Sequence, residues 1–439
     1  MKRALLIVTL IFSYIFSNNL VIYNNNLASI SSTATFMVKK GVNKLEFPNF
    51  PNTIITDSIL ADFSSNIELL EQVFKSNRTD FNNILRLNLN QDLLFYPINN
   101  LSKTLEGKLI NIKPITIISN NRYYILDSPL QIIYKNYPQN SNSALISWKV
   151  IAKKDAKERV KIDYLARGFN WYVNYILKLQ DKRLNLRALA TIENSSGKDF
   201  KDANISLIAG KLNSIMPAQP RAVRTLYSKT PSLKDTAPKK IDGYYKYEIL
   251  FKTDIFNNQT KQITIIDKKD IPYKSYSLAY NSNFNNYGIR KLNFTKHIEF
   301  INNKKSNLYL PLPYGKVRVY KNSIYLGQSY IQNTTKDEKI DIAIGDLFDV
   351  VGEKKILKYI SKDNYKFIKT QYTIKNRSKK LQILKIKEQI PRYGNNIKKQ
   401  TNCKDICIKK EESAFINLYT IKLKPNSNYT FTSSFEISY

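Results

Sequence analysis

Histidine occurs once in this chain of 439 residues, at position 297, and cysteine only at 403 and 407. A single imidazole removes any mechanism that needs two histidines and most histidine-based metal sites. A Ser-His-Asp triad would have to be built on His297. That residue sits in the strand-like run Lys296-His-Ile-Glu-Phe300 without any G-x-S-x-G nucleophile turn in the chain, so its expected role is that of a plain strand residue. The spacing C-K-D-I-C does not fit a thioredoxin-type pair, and no second Cys or His pair completes a zinc site. Cys403 and Cys407 close a local disulfide in an oxidising compartment or remain two thiols; the spacing leaves both open. Glycine is scarce, at 12 residues, and neither G-x-x-x-x-G-K-[ST] nor G-x-G-x-x-G is present, which argues against phosphate-cradling nucleotide sites. Long apolar runs are missing beyond residue 20, so no later segment reads as a membrane-spanning helix. Acidic residues number 35 against 69 Lys and Arg, giving a net charge of +34. Such a field attracts anionic lipid, polyanionic sugars or nucleic acid. The basic residues are spread rather than blocked, and Lys, Asn, Ile, Tyr and Phe rise together, so an A- and T-rich coding bias accounts for the surplus as well. Anionic envelope components are the partners this charge suits, and no specific nucleic acid is expected.

What is present points to strands. Apolar residues make up 43% and aromatic residues 12%, with 30 Tyr and 21 Phe, enough to build real cores. β-Branched and aromatic side chains fit a pleated, half-buried surface. At the N-terminus, Lys2 and Arg3 precede an uncharged apolar run from Ala4 to Phe16. That run has the length of a signal-peptide core and falls short of the ~20 residues that cross a bilayer as a helix. Residues 1–19 are therefore a signal peptide or an N-terminal anchor through which the chain contacts a membrane. Export to a periplasm or cell envelope is the expected localisation.

From Leu20 onward short alternating runs follow one another. Thr35–Phe47 reads as two strands around Gly41, Ile54–Asp62 as a short strand, and Ile67–Phe74 as a strand or one to two helical turns. Leu109–Ile118 and Arg122–Tyr134 flank Asn120-Asn121, a pair suited to the positive backbone angles of a tight hairpin. In Phe169–Leu177 every second residue is large and apolar, so Phe169, Trp171, Val173, Tyr175 and Leu177 share one strand face. Leu184, Leu186, Ala188, Ala190 and Ile192 repeat the pattern after a connection at Asp181-Lys182-Arg183. Glu193–Asp199 is a turn cluster before the next strand, Ala203–Ile208. Residues 214–240 hold Pro217, Pro220, Pro231 and Pro238 and read as a surface loop or linker. Further strands are expected at Tyr244–Phe251, Lys261–Ile266, Tyr276–Tyr280, His297–Ile301, Leu308–Leu310, Lys316–Tyr320, Lys339–Ile344, Leu381–Pro391 and Tyr429–Ile437. A weak internal echo links Ala190-Thr-Ile192-Glu-Asn194-Ser-Ser196 to Tyr372-Thr-Ile374-Lys-Asn376-Arg-Ser378, with His297–Lys304 as a looser third copy.

No segment sustains a 3.6-residue period, so helices should be few and short. The expected fold is mainly β, with several antiparallel β-sandwich or small-barrel domains. At roughly 100–200 residues per domain the chain divides into a few of them. The expected division is an N-terminal β domain over 20–135, central sandwich strands over 136–213, the Pro-rich stretch 214–240, and a C-terminal sandwich region over 241–439.

Two blocks carry a family resemblance. Tyr164–Tyr175 (Y-L-A-R-G-F-N-W-Y-V-N-Y), followed by Ala190–Leu207, makes the first. Leu310–Tyr320 (L-P-L-P-Y-G-K-V-R-V-Y), followed by Leu326–Val350, makes the second. Together they resemble the bacterial exported family named domain of unknown function 4139, which includes mucoidy-inhibitor-A-like proteins. Val21–Tyr134 is similar to the N-terminal part of its shorter members. Gly168 and Trp171 match the first pattern; Gly315, Arg318, Glu338, Gly345, Asp346 and Asp349 match the second. The resemblance implies an exported β-rich fold and transfers no catalytic residues.

The remaining candidates are weighed by residue. Asp337, Glu338, Asp341, Asp346 and Asp349 could supply oxygen ligands to a hard cation, but their spacing is not that of an EF-hand loop. Alternation with Ile340, Ile342 and Ile344 puts Asp341 on the solvated face, and Gly345-Asp346 reads as a turn. Sugar hydrolysis would need two of these carboxylates fixed ~5–10 Å apart, which nothing in the spacing imposes. Trp171 and Tyr172 could form a sugar platform, yet alternation sends Trp171 into the core. Arg318 and Tyr320 form an exposed aromatic–basic pair. Asn194-Ser-Ser reads as a turn. No catalytic, metal or cofactor-binding residues are assigned. The expectation is an envelope binding or structural component, with an envelope-polymer hydrolase using the Glu338–Asp349 carboxylates and a basic adhesin for anionic lipid or polysaccharide as alternatives.

Overall fold

The computed structural model describes residues 18–75, 81–97, 104–126, 130–133, 144–210, 238–284, 288–391 and 396–438. The apolar run before residue 18 and the Pro-rich stretch up to residue 237 lie outside the described residues; Lys239 and Lys240 belong to a short strand, Lys239–Ile241. Among the described residues are thirty-two strands and one α-helix, Phe81–Leu87. The mainly β expectation holds, and period-two alternation is the cause. Phe169–Leu179 buries Phe169, Trp171, Val173, Tyr175 and Leu177, and Arg183–Asn194 buries Leu184, Leu186, Ala188, Ala190 and Ile192. The Asn120-Asn121 turn also forms: Ser119 pairs with Arg122, and the two Asn residues take φ of 47° and 60°.

Four expectations are corrected. Gly345-Asp346 is not a turn but the end of the strand Lys339–Asp346, where Gly345 pairs with Lys296 and Asp346 with Thr295. Only Leu60–Asp62 of Ile54–Asp62 is a strand; Thr56–Ser58 is a 3-10 turn in which the Ser58 hydroxyl donates to the Ile55 carbonyl at 2.6 Å and accepts from the Leu165 amide at 2.8 Å. Local side-chain bonds there outcompete a ladder. Leu308–Leu310 is not a strand either. Asn302 occupies both backbone groups of Leu310, at 2.6 and 3.1 Å, and Tyr309 has a left-handed φ of 56°. Finally, the sheets are not purely antiparallel: Asn19–Tyr23 runs parallel to Phe200–Ala209, Phe169–Leu179 to Gly315–Lys321, and Lys274–Asn281 to Gln382–Gln389.

The chain divides into two compact units. Unit 1 takes the described parts of Met1–Trp171, Thr191–Lys229 and Lys239–Gln262; unit 2 takes those of Tyr172–Ala190, Thr230–Pro238 and Ile263–Tyr439. In unit 1 one sheet runs in the order Lys239–Ile241, Tyr244–Glu248, Phe200–Ala209, Asn19–Tyr23, Leu27–Val38, Ala156–Ala166, Leu60–Asp62. A three-stranded sheet (Gly41–Phe50, Ala144–Ala152, Ile67–Lys75) and a five-stranded sheet with its own core of Leu85, Leu93, Phe95, Leu109 and Ile117 complete it. In unit 2 a six-stranded sheet runs Lys339–Asp346, Thr295–Ile301, Lys274–Asn281, Gln382–Gln389, Ile416–Leu423, Cys407–Ser413. It packs on a second sheet, Ile289–Leu292, Val350–Lys362, Tyr365–Asn376, Ser427–Ser438, Asn396–Thr401, through Ala279, Leu384, Ile386 and Tyr419 on one side and Val350, Tyr372, Ile374 and Phe431 on the other.

These two main sheets have one topology. Read from the last-formed edge, each has a hairpin, then a strand parallel to a central strand, then two antiparallel strands, beyond which the unit 1 sheet adds the short Leu60–Asp62. Chain order agrees too. The last long strand (Ala156–Ala166 or Lys339–Asp346) leads into a long hairpin of another sheet, Phe169–Leu179 with Arg183–Asn194 or Val350–Lys362 with Tyr365–Asn376. An Asn-x-Ser turn follows, then the parallel strand. Both sheets are interrupted at the same point, before that last long strand, by residues 39–155 in one and 302–338 in the other. The internal echo in the sequence thus marks the equivalent Asn-x-Ser turns of two sheets with the same strand order.

Candidate functional site

Two side-chain clusters in unit 2 bring together groups able to do chemistry. The first lies on the outer face of the six-stranded sheet. Tyr276 and His297 are register partners on neighbouring strands, and Asp341 comes from the next. Asp341 accepts hydrogen bonds from the Tyr276 hydroxyl and, at 2.9 Å, from His297 Nδ1. The two rings stack with centroids 5.1 Å apart and planes 17° off parallel, and the Lys385 ammonium stands 3.5 Å from the Tyr276 ring centroid. Burial pushes the Tyr276 phenol up and the bond to Asp341 adds to it, so it stays protonated. Burial alone would raise the Asp341 carboxyl, but the bonds from His297 and Tyr276 outweigh it and hold the group below its ordinary value. A His–Asp pair is two members of a nucleophile-activating triad. The third is lacking: no hydroxyl or thiol among the described residues bonds to His297 Nε2.

The second cluster is inside the unit 2 sandwich. Asn281, Glu388 and Asn417 form one row across three strands. Glu388 is fully buried and accepts from the Tyr372 hydroxyl (2.7 Å), Asn417 Nδ2 (2.9 Å), the Ser433 hydroxyl (2.8 Å) and the Tyr419 hydroxyl (3.2 Å). Asn281 joins Tyr372 to Lys354, donating to the phenol and accepting from the ammonium, each at 2.5 Å; Lys354 also donates to the Asn283 carbonyl. Burial, then the Glu388 charge, pushes the Tyr372 and Tyr419 phenols up. Burial and then the Arg290 charge push the Lys354 ammonium down. Beyond the row, Ser282, Gln389, Ile390, Pro391, Phe415 and Ile416 line a hollow of about 260 Å³, under the ~300 Å³ at which ligand clefts begin. With four donors on it, Glu388 is saturated as an acceptor, and the network is suited to fixing strand register rather than to moving protons.

The carboxylates singled out in the sequence do not converge on one centre. Glu338 accepts from the Thr335 amide at 2.8 Å within its own turn, and Asp346 accepts from the Thr295 hydroxyl at 2.8 Å. The Asp349 carbonyl accepts from the Arg377 amide at 2.8 Å. Asp337 holds a left-handed turn position, φ 66°. Among the described residues no group of three or more His, Cys, Asp or Glu side chains is placed to hold a metal ion. Trp171 is 2% exposed and donates from Nε1 to the Ile208 carbonyl at 3.0 Å. Arg318 and Tyr320 are half-buried on their sheet face. Cys403 and Cys407 form a disulfide, which settles the question the sequence left open. Two family-pattern glycines are steric necessities. A Cβ on Gly168, whose φ is +86°, would lie 2.8 Å from the Ser195–Ser196 backbone, and one on Gly315 would lie 2.4 Å from the Val173 carbonyl oxygen.

Sequence reasoning missed the Tyr276–His297–Asp341 contact, whose members are far apart in the chain, and the Glu388 network. The second did leave a signal: Glu388 continues the alternation of Leu384 and Ile386, so a carboxylate stands on an apolar stripe.

No curated protein matches the chain. Residues 160–439 match a protein family described as Domain of unknown function (DUF4139), which spans the last strands of the first sandwich and the whole of the second. The chain therefore belongs to the DUF4139 family.

Proposed function

We propose that the protein is an exported component of a bacterial-type cell envelope that works by binding or bracing rather than by catalysis. The observation that carries this reading is the saturation of Glu388, whose buried carboxylate is surrounded by Tyr372, Asn417, Tyr419 and Ser433 as packing partners. Export is supported by the basic-then-apolar N-terminal sequence and by the Cys403–Cys407 disulfide, a bond kept in oxidising compartments. The hydrolase alternative draws no support from the placement of Glu338, which bonds within its own turn, or of Asp346, which bonds to Thr295 on the neighbouring strand. Cell fractionation with the untagged protein tests the location: recovery in the cytoplasm defeats it. Pull-down from envelope extract tests the binding role. Envelope-polymer turnover that disappears in Glu338→Gln or Asp349→Asn without loss of melting temperature would replace this reading with an enzymatic one.

A further inference from the structure

We propose that one end of unit 2 docks on the interface of an anionic lipid bilayer, an interaction that goes beyond the reading above. Three loops come together there. After the left-handed turn at Asn322-Ser323, the strand opens with Ile324, Tyr325 and Leu326, exposed by 64, 50 and 37%. Leu326 and Gly327 lie beside Gly345 and Ile344, so the strand Lys339–Asp346 finishes at the same end. Phe348, just past it, is 95% exposed. The Asp349 carbonyl takes the Arg377 amide, which brings in the third loop, ending at Leu381, 57% exposed.

Cations surround these tips. Arg377, Lys379 and Lys380 are exposed, and Lys296 lies close enough to Lys321 and Lys380 that, after burial, their charges push its ammonium down. None of these five makes an ion pair among the described residues. Asp346 and Asp349, both exposed, flank Phe348 and set two negative charges against these five positive ones.

Unit 1 supplies the contrast. Its equivalent turn has the equivalent bond, the Ser195 amide to the Gly168 carbonyl at 2.7 Å. There the chain covers itself: Thr53 donates its hydroxyl to the Arg167 and Ser196 carbonyls at 2.7 and 3.2 Å, and Ile54 bridges to Ala166. Unit 2 has no counterpart of that segment among the described residues. Its apolar tips are Phe348 and Leu381 on two loops and Ile324–Leu326 at the start of the edge strand Ile324–Ile331, and they converge from separate elements rather than along the length of one strand or groove as a bound peptide would need. Isoleucine, leucine and phenylalanine entering the acyl boundary, with Tyr325 at headgroup level and Lys and Arg at the phosphates, match the layered chemistry of an anionic bilayer.

The test is site-specific, so that the apolar N-terminal run of the full chain does not confuse it. Trp148 and Trp171 are buried and give a constant background. Full-length Phe348→Trp is mixed with phosphatidylcholine vesicles or with vesicles of phosphatidylcholine and phosphatidylglycerol in equal parts. On the mixed vesicles alone, its emission should shift to the blue and be quenched by brominated acyl chains, and salt should abolish both effects. Tyr123→Trp, on a 70% exposed hairpin position of unit 1, should show neither. An unchanged emission spectrum of the Phe348→Trp protein on the mixed vesicles overturns the proposal and leaves this end to a protein partner. Equal quenching at positions 123 and 348, or equal quenching on neutral vesicles, overturns it in favour of unspecific adsorption.

Discussion

Asn194 and Asn376 hold the same turn at equivalent places in the two units. Each donates from Nδ2 to the carbonyl four residues on, Lys198 at 2.8 Å and Lys380 at 2.9 Å, and each accepts the amide two residues on, Ser196 and Ser378, at 3.0 Å. Each also reaches a carbonyl of another strand, Ile255 at 3.2 Å and Leu423 at 3.1 Å. Both are almost fully buried. Replacing either with Ala strands buried backbone groups, so each of Asn194→Ala and Asn376→Ala should cost about 1–3 kcal/mol in denaturant unfolding. Ser195→Ala, at an exposed neighbour, should cost far less. Equal costs at all three positions would mean that the Asn bonds contribute nothing special.

Trp171 fills the interior beside Tyr247, with ring centroids 6.0 Å apart. Trp171→Ala should destabilise by roughly 3–5 kcal/mol. Trp171→Phe keeps most of the volume and loses the bond to Ile208, so it should fall well short of that cost. A loss below about 1 kcal/mol for the alanine variant would be incompatible with a core role.

Glu388 and Lys354 are the two charged ends of the network inside unit 2. Glu388→Gln puts an amide donor among groups that already donate and leaves Lys354 uncompensated, an expected loss of about 3–5 kcal/mol. Adding Lys354→Met to Glu388→Gln should recover part of it. A double variant no more stable than the single one, read by chemical unfolding, would show that the two charges are not coupled.

The Lys198 ammonium is buried over the Phe200 ring, 5.0 Å from its centroid, and burial pushes it down to about 8 from an ordinary 10.5. Between those values the unfolded chain binds more protons than the native one, so this residue makes stability rise with pH across that window. Below the window its buried charge costs up to about 3 kcal/mol. Lys198→Met should therefore be more stable than the parent protein near neutral pH, and the difference should shrink towards the ordinary lysine value. Melting temperatures of the two proteins across the alkaline range check the sign.

Asp341 acts at the other end of the scale. Its native value is held below the ordinary 3.8, so its contribution is present above 3.8 and is lost as pH falls through the lower native value. Asp341→Asn should destabilise at neutral pH and lose less than the parent protein on acidification. A parallel acid decline in both would rule out the linkage.

How much was legible in the sequence follows from the period of the strands. Wherever large apolar residues alternate cleanly, as from Phe169 to Leu177, the side chains went where the pattern put them. The Asn-x-Ser echo was visible because its bonds are local, from residue i to i+2 and i+4. Ile324–Ile331 escaped notice because its exposed Ile-Tyr-Leu start breaks alternation, and its Gly327 leaves a gap in the pattern. Asp341 faced away from Ile340 and Ile342 as alternation requires, but that face is not simply solvent: a tyrosine and a histidine from other strands wait there. Cross-strand partners depend on register, and nothing within one strand announces it.

The place of Asn19–Tyr23 has a consequence for biogenesis. This strand lies inside its sheet, between Leu27–Val38 and Phe200–Ala209. A polypeptide delivered N-terminus first can form the hairpin with Leu27–Val38 at once, but the opposite flank stays open until the stretch around Asn204–Ile208 arrives. Throughout that interval the nascent sheet displays a bare row of amides and carbonyls, the template on which chains stick to one another. That exposure ends only when the distant strand Phe200–Ala209 closes the flank.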